Sequence, residues 1–202
     1  MSLPLLAAPY ATVREMFNLP PEIIILDVEV TTWEGTWERR WSEPGEYKEV
    51  VQIGAIRVET NTLKEKECLS IFIKPIKNPT LSEYFINLTG ITQETVDSAG
   101  LSPSEAFKKF SDWTGGLPLF SWGKIDKSAL EETAKLNNLA NFNTWPIQDI
   151  REVFKKASIA ADQYASSTIV NAFGKTPTRL AHDGLNDART ILDGLRALRE
   201  RN

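Results

Sequence analysis

The stretch Glu22–Val30, EIIILDVEV, constrains this chain more than any other. Six of its nine residues are aliphatic and five of those are β-branched. A run of that kind reads as a strand covered on both faces, which points to a sheet with helices packed against it. The same strand ends in an acidic pair, Asp27 and Glu29, and alternation sends two side chains two residues apart to one face. Neighbouring carboxylates in an apolar setting lose hydration and repel each other, at a cost of several kcal/mol per ion, so a partner is required. A divalent cation meets that need, and hard oxygen ligands suit Mg2+ or Mn2+. These two residues alone leave open a carboxylate in water at the strand end, capping a turn.

Glu49–Glu59 reads as a second strand. Leu63–Pro75 (LKEKECLSIFIKP) alternates polar and apolar residues, as a half-buried third strand should, and the TNT turn between the two predicts an antiparallel meander. After Pro79 the periodicity becomes helical, with Ser102, Pro103 and Glu105 forming a strong helix start. Pro118–Trp122 reads as a short fourth strand, followed by a helix over Asp126–Asn138. A fifth strand falls within Asn143–Ile150, at an edge because Pro146 is costly in a central strand. Helices follow around Arg151–Ala157 and Ser166–Phe173. The last runs from about Gly184 to the end, with Leu185, Ile191, Leu192, Leu195 and Leu198 as its apolar stripe. The expectation is an N-terminal lead-in over residues 1–20 and one α/β domain over 21–202. Its central mixed five-stranded sheet, a three-stranded antiparallel meander plus parallel strands, is flanked by helices.

The 202 residues are 42% hydrophobic and 25% charged, an ordinary globular composition. No apolar run approaches the roughly 18–20 residues that span a bilayer. The first residues lack the pattern of a secretory signal, so a cytoplasmic setting without a membrane partner is expected. The net charge of −4 argues against a passive nucleic-acid binder. It leaves room for an enzyme whose acidic site is neutralised by metal. A single cysteine, Cys68, excludes an intramolecular disulfide and a thiolate metal cage, and is expected to be a buried, inert thiol on the third strand.

Two more acidic stretches follow. Asp126 stands just past the fourth strand, where aspartate serves equally as a helix N-cap and as a ligand. In HDGLNDA, Asp183 fits an N-cap, which puts Asp187 about one turn into the final helix. Five residues do not return to one helical face, but if His182 stands on an extended segment just before that helix, it and Asp187 can overhang one cleft. As the only histidine in the chain, it cannot belong to a phosphohydrolase site or a zinc site that needs several imidazoles.

Taken in order, Asp27-x-Glu29, Asp126 and His182-x4-Asp187 resemble the DEDDh family of 3′–5′ exonucleases, which has a ribonuclease-H-like fold. DVEVTTW resembles the first motif of that family and EVVQIGAIRV its second strand. FINLTGITQETVDSA (Phe85–Ala99) is similar to its Leu-Thr-Gly-Ile-Thr segment, and SWGKID to the second motif of the branch of ERI-type exoribonucleases. The resemblance covers Glu22 to Leu198. It implies two divalent metals, Mg2+ or Mn2+, held by Asp27, Glu29, Asp126 and Asp187, with His182 as the general base that takes a proton from the attacking water. It further implies a nucleic-acid partner with a free 3′ end, RNA favoured over DNA, and release of nucleoside 5′-monophosphates. Val28, Leu88, Thr89, Gly90 and Trp122 would contact the terminal nucleotide. The alternatives are a non-catalytic nucleic-acid-binding adaptor on the same fold and a phosphohydrolase of small nucleotides or short oligonucleotides.

Two stretches depart from that pattern or vary within it. Gln52 stands where many relatives have a glutamate, a change on the strand face without catalytic meaning. The loop WEGTWERRWSEPGEYK carries Trp33, Trp37 and Trp41 four apart, whose indoles either stack bases or anchor the loop. Lys124, Lys127, Arg179 and Arg189 lie near the motifs and either meet phosphates or are simply solvated.

Overall fold

The computed structural model describes residues 12–139 and 145–201. Residues 1–11 of the lead-in, residues 140–144 ahead of the fifth strand, and Asn202 lie outside the described residues. The sheet has five strands: β1 (Glu22–Val30), β2 (Val50–Glu59), β3 (Lys64–Phe72), β4 (Leu119–Ser121) and β5 (Ile147–Asp149), in the order β3-β2-β1-β4-β5. The meander β1–β2–β3 is antiparallel, while β4 and β5 join β1 in parallel. The expected mixed sheet is therefore present, with the acidic strand at its centre. The helices are α1 (Val13–Phe17), α2 (Thr36–Arg39), α3 (Glu83–Thr89), α4 (Gln93–Ala99), α5 (Pro103–Thr114), α6 (Ile125–Leu136), α7 (Arg151–Lys156) and α8 (Gly184–Arg201). Ser166–Phe173, expected as an α-helix, is a 3-10 segment instead.

Alternation along β1 sorts the core into two layers. Ile23 and Ile25 point to one face and pack with Ile56, Val58, Phe154, Ile191 and Leu195 under α8. Ile24, Leu26, Val28 and Val30 point to the other and pack with Phe107, Phe110 and Leu130 of α5 and α6. Asp27 and Glu29 continue the first series, so both acids emerge on the α8 face. At the start of β2, the fully buried Glu49 carboxylate accepts the backbone N–H groups of Ile76, Lys77 and Asn78 at 2.8–3.0 Å. That fastens the segment leading to α3, and the Ser82 hydroxyl fastens α3 in turn by donating to the Thr32 carbonyl at the end of β1.

Cys68 corrects an expectation: it is exposed rather than buried. It sits on β3, the edge strand of the meander, opposite Ile56 and so on the α8 face, but at the rim, beside the Arg189 side chain, where no apolar layer covers it. Among the described residues, no helix is long and apolar enough to cross a membrane.

Candidate active site

The site is built by the entry of α8 onto β1 and β2. Gly54 of β2 lies opposite Asp27, and a Cβ there would come within 2.0 Å of the Gly184 carbonyl carbon and the Leu185 nitrogen. A Cβ on Gly184 would come within 2.7 Å of the Asp27 carbonyl oxygen. The backbones touch with no side chain between them, which is the close approach that glycine alone permits. Gln52 secures the contact. Its Oε1 accepts the Gly184 N–H at 2.9 Å and its Nε2 donates to Asp183 and Ser70. Gln52 thus holds the helix start. Asp183 caps α8 as expected, accepting the Asn186 N–H at 2.9 Å.

One turn into α8, Asp187 is buried. Its Oδ2 accepts the Ser166 hydroxyl and the His182 N–H, both at 3.4 Å. His182 is exposed and takes the left-handed conformation at φ 62° rather than an extended one, so the chain turns sharply just before α8. Asp126 is not the N-cap of α6. Lys124 occupies that position, and the Asp126 carboxylate turns inward to accept the Val28 N–H at 3.1 Å. Ligand atoms of Glu29, His182 and Asp187 lie within 4.8 Å of one another.

These side chains line one cleft of about 290 Å3, together with Val28, Trp37, Trp122, Ile125, Arg151, Tyr164 and Ser166. Its electrostatics are those of uncompensated acids. Burial first, then the charges of Asp126, Glu29 and Asp187, push Asp27 well above the usual carboxylate range. Glu29 is raised in the same way by burial and by Asp187 and Asp126. Burial lifts Asp126 to about 6 and Asp187 to about 7, although hydrogen bonds from Val28 and His182 oppose the rise. Partial desolvation holds the His182 imidazole below its ordinary value, so it is neutral at pH 7. The buried Asp187 Oδ1 finds no hydrogen-bond partner among the described residues. An orphaned buried carboxylate oxygen, beside three more buried carboxylates, fits a hard divalent cation.

Of the residues expected at the site, the four acids, His182, Val28 and Trp122 line the cleft; Leu88, Thr89 and Gly90 do not. They lie at the corner between α3 and α4, where the Thr89 hydroxyl donates to the Phe85 carbonyl and accepts the Ile91 N–H. Lys127, Arg179 and Arg189 pair with Glu131, Asp193 and Glu65 instead of entering the cleft. The tryptophan loop divides its roles: the Trp41 indole N–H donates to the Thr31 carbonyl at 2.8 Å, while Trp37 faces the cleft. Ser166, Tyr164 and Arg151 escaped sequence reasoning, since no motif marks them and only α7, the 3-10 segment and the stretch between the two deliver them here.

A mixed sheet in this order, flanked by helices, defines a ribonuclease-H-like domain, here with four carboxylates and one histidine at a single cleft. Residues 24–195 match the RNase T family of exonucleases, and the chain belongs to that family. It is 35% identical over 125 residues to the 3′-5′ exonuclease Snipper of Drosophila melanogaster, covering 61% of this chain and 41% of that protein. It is 34% identical over 91 residues to 3′-5′ exoribonuclease 1 of Homo sapiens, covering 45% of this chain and 24% of that protein. The chain thus spans less than half the length of these curated relatives. In fold it superimposes on the nuclease domain of 3′hExo, a DEDDh family member bound to rAMP, with a TM-score of 0.73 at 24% identity, covering 89% of this chain and 92% of that one.

Proposed function

We propose that this chain is a metal-dependent 3′–5′ exonuclease that hydrolyses the terminal phosphodiester of RNA, and less readily of single-stranded DNA, to release nucleoside 5′-monophosphates. The observation that carries the proposal is the meeting of Asp27, Glu29, Asp126 and Asp187 at one cleft with raised affinities for protons and an unpartnered oxygen. The four acids would hold two divalent ions, Mg2+ or Mn2+. Bound there, such ions supply charge to stabilise the attacking and leaving oxygens of an in-line displacement at phosphorus. The neutral His182, exposed at the cleft mouth, takes the proton of the attacking water as general base. Val28 and Trp122 form the wall against the terminal nucleotide, and Leu88, Thr89 and Gly90, outside the cleft, carry no part of the proposal. The preference for RNA is supported by relatives named exoribonucleases and by the neighbour bound to rAMP. A cytoplasmic setting is supported by the single cysteine, which leaves no intramolecular disulfide to form.

The test is digestion of 5′-labelled single-stranded RNA and DNA of one sequence with Mg2+, Mn2+ or EDTA, beside Asp187→Asn. The expected result is a metal-dependent ladder shortening from the 3′ end, faster on RNA and absent in the variant. Binding without shortening would replace the proposal with an adaptor. Hydrolysis confined to mono- and dinucleotides would replace it with a small-nucleotide phosphohydrolase.

A further inference from the structure

We propose that Trp37 is the stacking platform for the base of the 3′-terminal nucleotide, a specificity-determining residue that makes an unpaired 3′ base part of recognition. The inference rests on the exonuclease proposal above and adds a residue on the substrate side of the same site. Position supports it first: Trp37 borders the cleft that holds Asp27, Glu29, Asp126 and Asp187, so a nucleotide that reaches the carboxylates passes its indole. Exposure supports it next. Trp37 is 45% exposed, although indole surface is costly to leave in water, and Ile125, 49% exposed, adds a second open apolar side chain on the rim.

The loop does not need Trp37 to stay in place. Trp41 does the anchoring, through its bond to Thr31 and under the Lys48 ammonium, 5.4 Å from its ring. Lys48 is itself tied to α6 through Ser128 and Glu132 at 3.0 and 3.3 Å. The fully buried Thr36 accepts the Trp33 N–H at 2.9 Å, and Arg39 pairs with Glu46. The short α2 that carries Trp37 is closed by left-handed residues at both ends, Gly35 at φ 72° and Arg40 at φ 56°. The Trp37 and Trp41 rings meet edge to face, 5.0 Å apart at 78°, which sets the indole plane and leaves at least one Trp37 face open. A ring already held in place loses little freedom when a base settles on it. Because every base has a π-face, such a platform tolerates any sequence while requiring the base to be unpaired.

The test uses the full chain and two RNAs that differ only in whether the 3′-terminal nucleotide carries its base or is abasic. Cleavage with Mn2+ and binding by fluorescence anisotropy with Ca2+ are measured for the wild type, Trp37→Ala and Trp37→Phe. The wild type is expected to prefer the base-bearing RNA by roughly 5- to 100-fold, the range that stacking one base on one aromatic ring supplies. Trp37→Ala should lose most of that preference, mainly through KM, and Trp37→Phe should keep most of it. An Ala variant that weakens both RNAs by the same factor, or keeps the wild-type preference, overturns the platform while leaving the exonuclease in place. A wild type that binds with the preference but cleaves neither RNA overturns the exonuclease; loss of that binding preference in Trp37→Ala would then still support the platform.

Discussion

At the residue scale, the acids at the cleft show a site held against its own folding preference. Asp187 sits in the first turn of α8, where the helix dipole favours a negative charge, yet burial raises its pKa to about 7. Its ionised form is therefore a burden until a cation arrives. Asp187→Asn removes the charge and keeps the shape. Without metal at pH 8, the variant is expected to be more stable than the wild type by roughly 1–3 kcal/mol. Added Mn2+ should raise the melting temperature of the wild type and leave the variant nearly unmoved. Paired melts with and without Mn2+ check this, and a variant less stable than the metal-free wild type would refute it. Ser166 adds a smaller adjustment: its hydroxyl bonds Asp187 and lowers the Asp27 pKa against the larger effect of burial.

At the element scale, the decisive contact is α8 lying backbone to backbone on β2. A Cβ at Gly54, 2.0 Å from two main-chain atoms of α8, has no flexible side chain to push aside, so the helix itself must move. Gly54→Ala is expected to cost about 3 kcal/mol or more. It should also abolish cleavage, because the shift carries Asp187 and the His182 turn away from Asp27 and Glu29. Denaturant unfolding and the RNA ladder assay read the two effects; wild-type activity in the variant would show that α8 does not position the site. Contrast the first turn of α5, where Ser102 and Glu105 form a reciprocal capping box that is complete within four residues. The helix start readable in the sequence at Ser102 needs nothing from the rest of the molecule, whereas the one at Gly184 needs Gln52 from 132 residues away.

At the scale of the whole molecule, four raised carboxylates give the metal-free protein a particular pH dependence. An acid whose pKa is higher folded than unfolded is fully compatible with the fold below the unfolded value, near 3.8 for aspartate. Stability then falls as pH rises and the unfolded chain ionises while the folded one resists, until the folded values of about 6 for Asp126 and about 7 for Asp187 are passed. In EDTA, stability should therefore decline between pH 5 and pH 8, by several kcal/mol. With saturating Mn2+ the trend should reverse, since binding requires the ionised acids. Urea titrations across that window check both trends; a metal-free protein as stable at pH 8 as at pH 5 would show that the acids are already compensated.

The central strand, the meander, the acidic pair at the end of that strand and the cap at Asp183 were all legible in the sequence. Each rests on local physics: side-chain alternation, turn chemistry, and the spacing of like charges on one strand. The role of Asp126 was not legible, because whether it caps its helix or turns inward depends on where β1 presents the Val28 N–H. Nor could the sequence separate Trp37 from Trp41, identical residues four apart that the fold turns to different neighbours. It could not place Cys68 in water, since the alternation of β3 does not tell how far across the sheet the apolar stripe of a distant helix reaches. Local pattern determined which strand carries the acids and which face they share. The tertiary structure alone decided what else stands there, because Ser166, Gln52 and the backbone contact of Gly54 with Gly184 reach the site across separations in the chain that no local periodicity encodes.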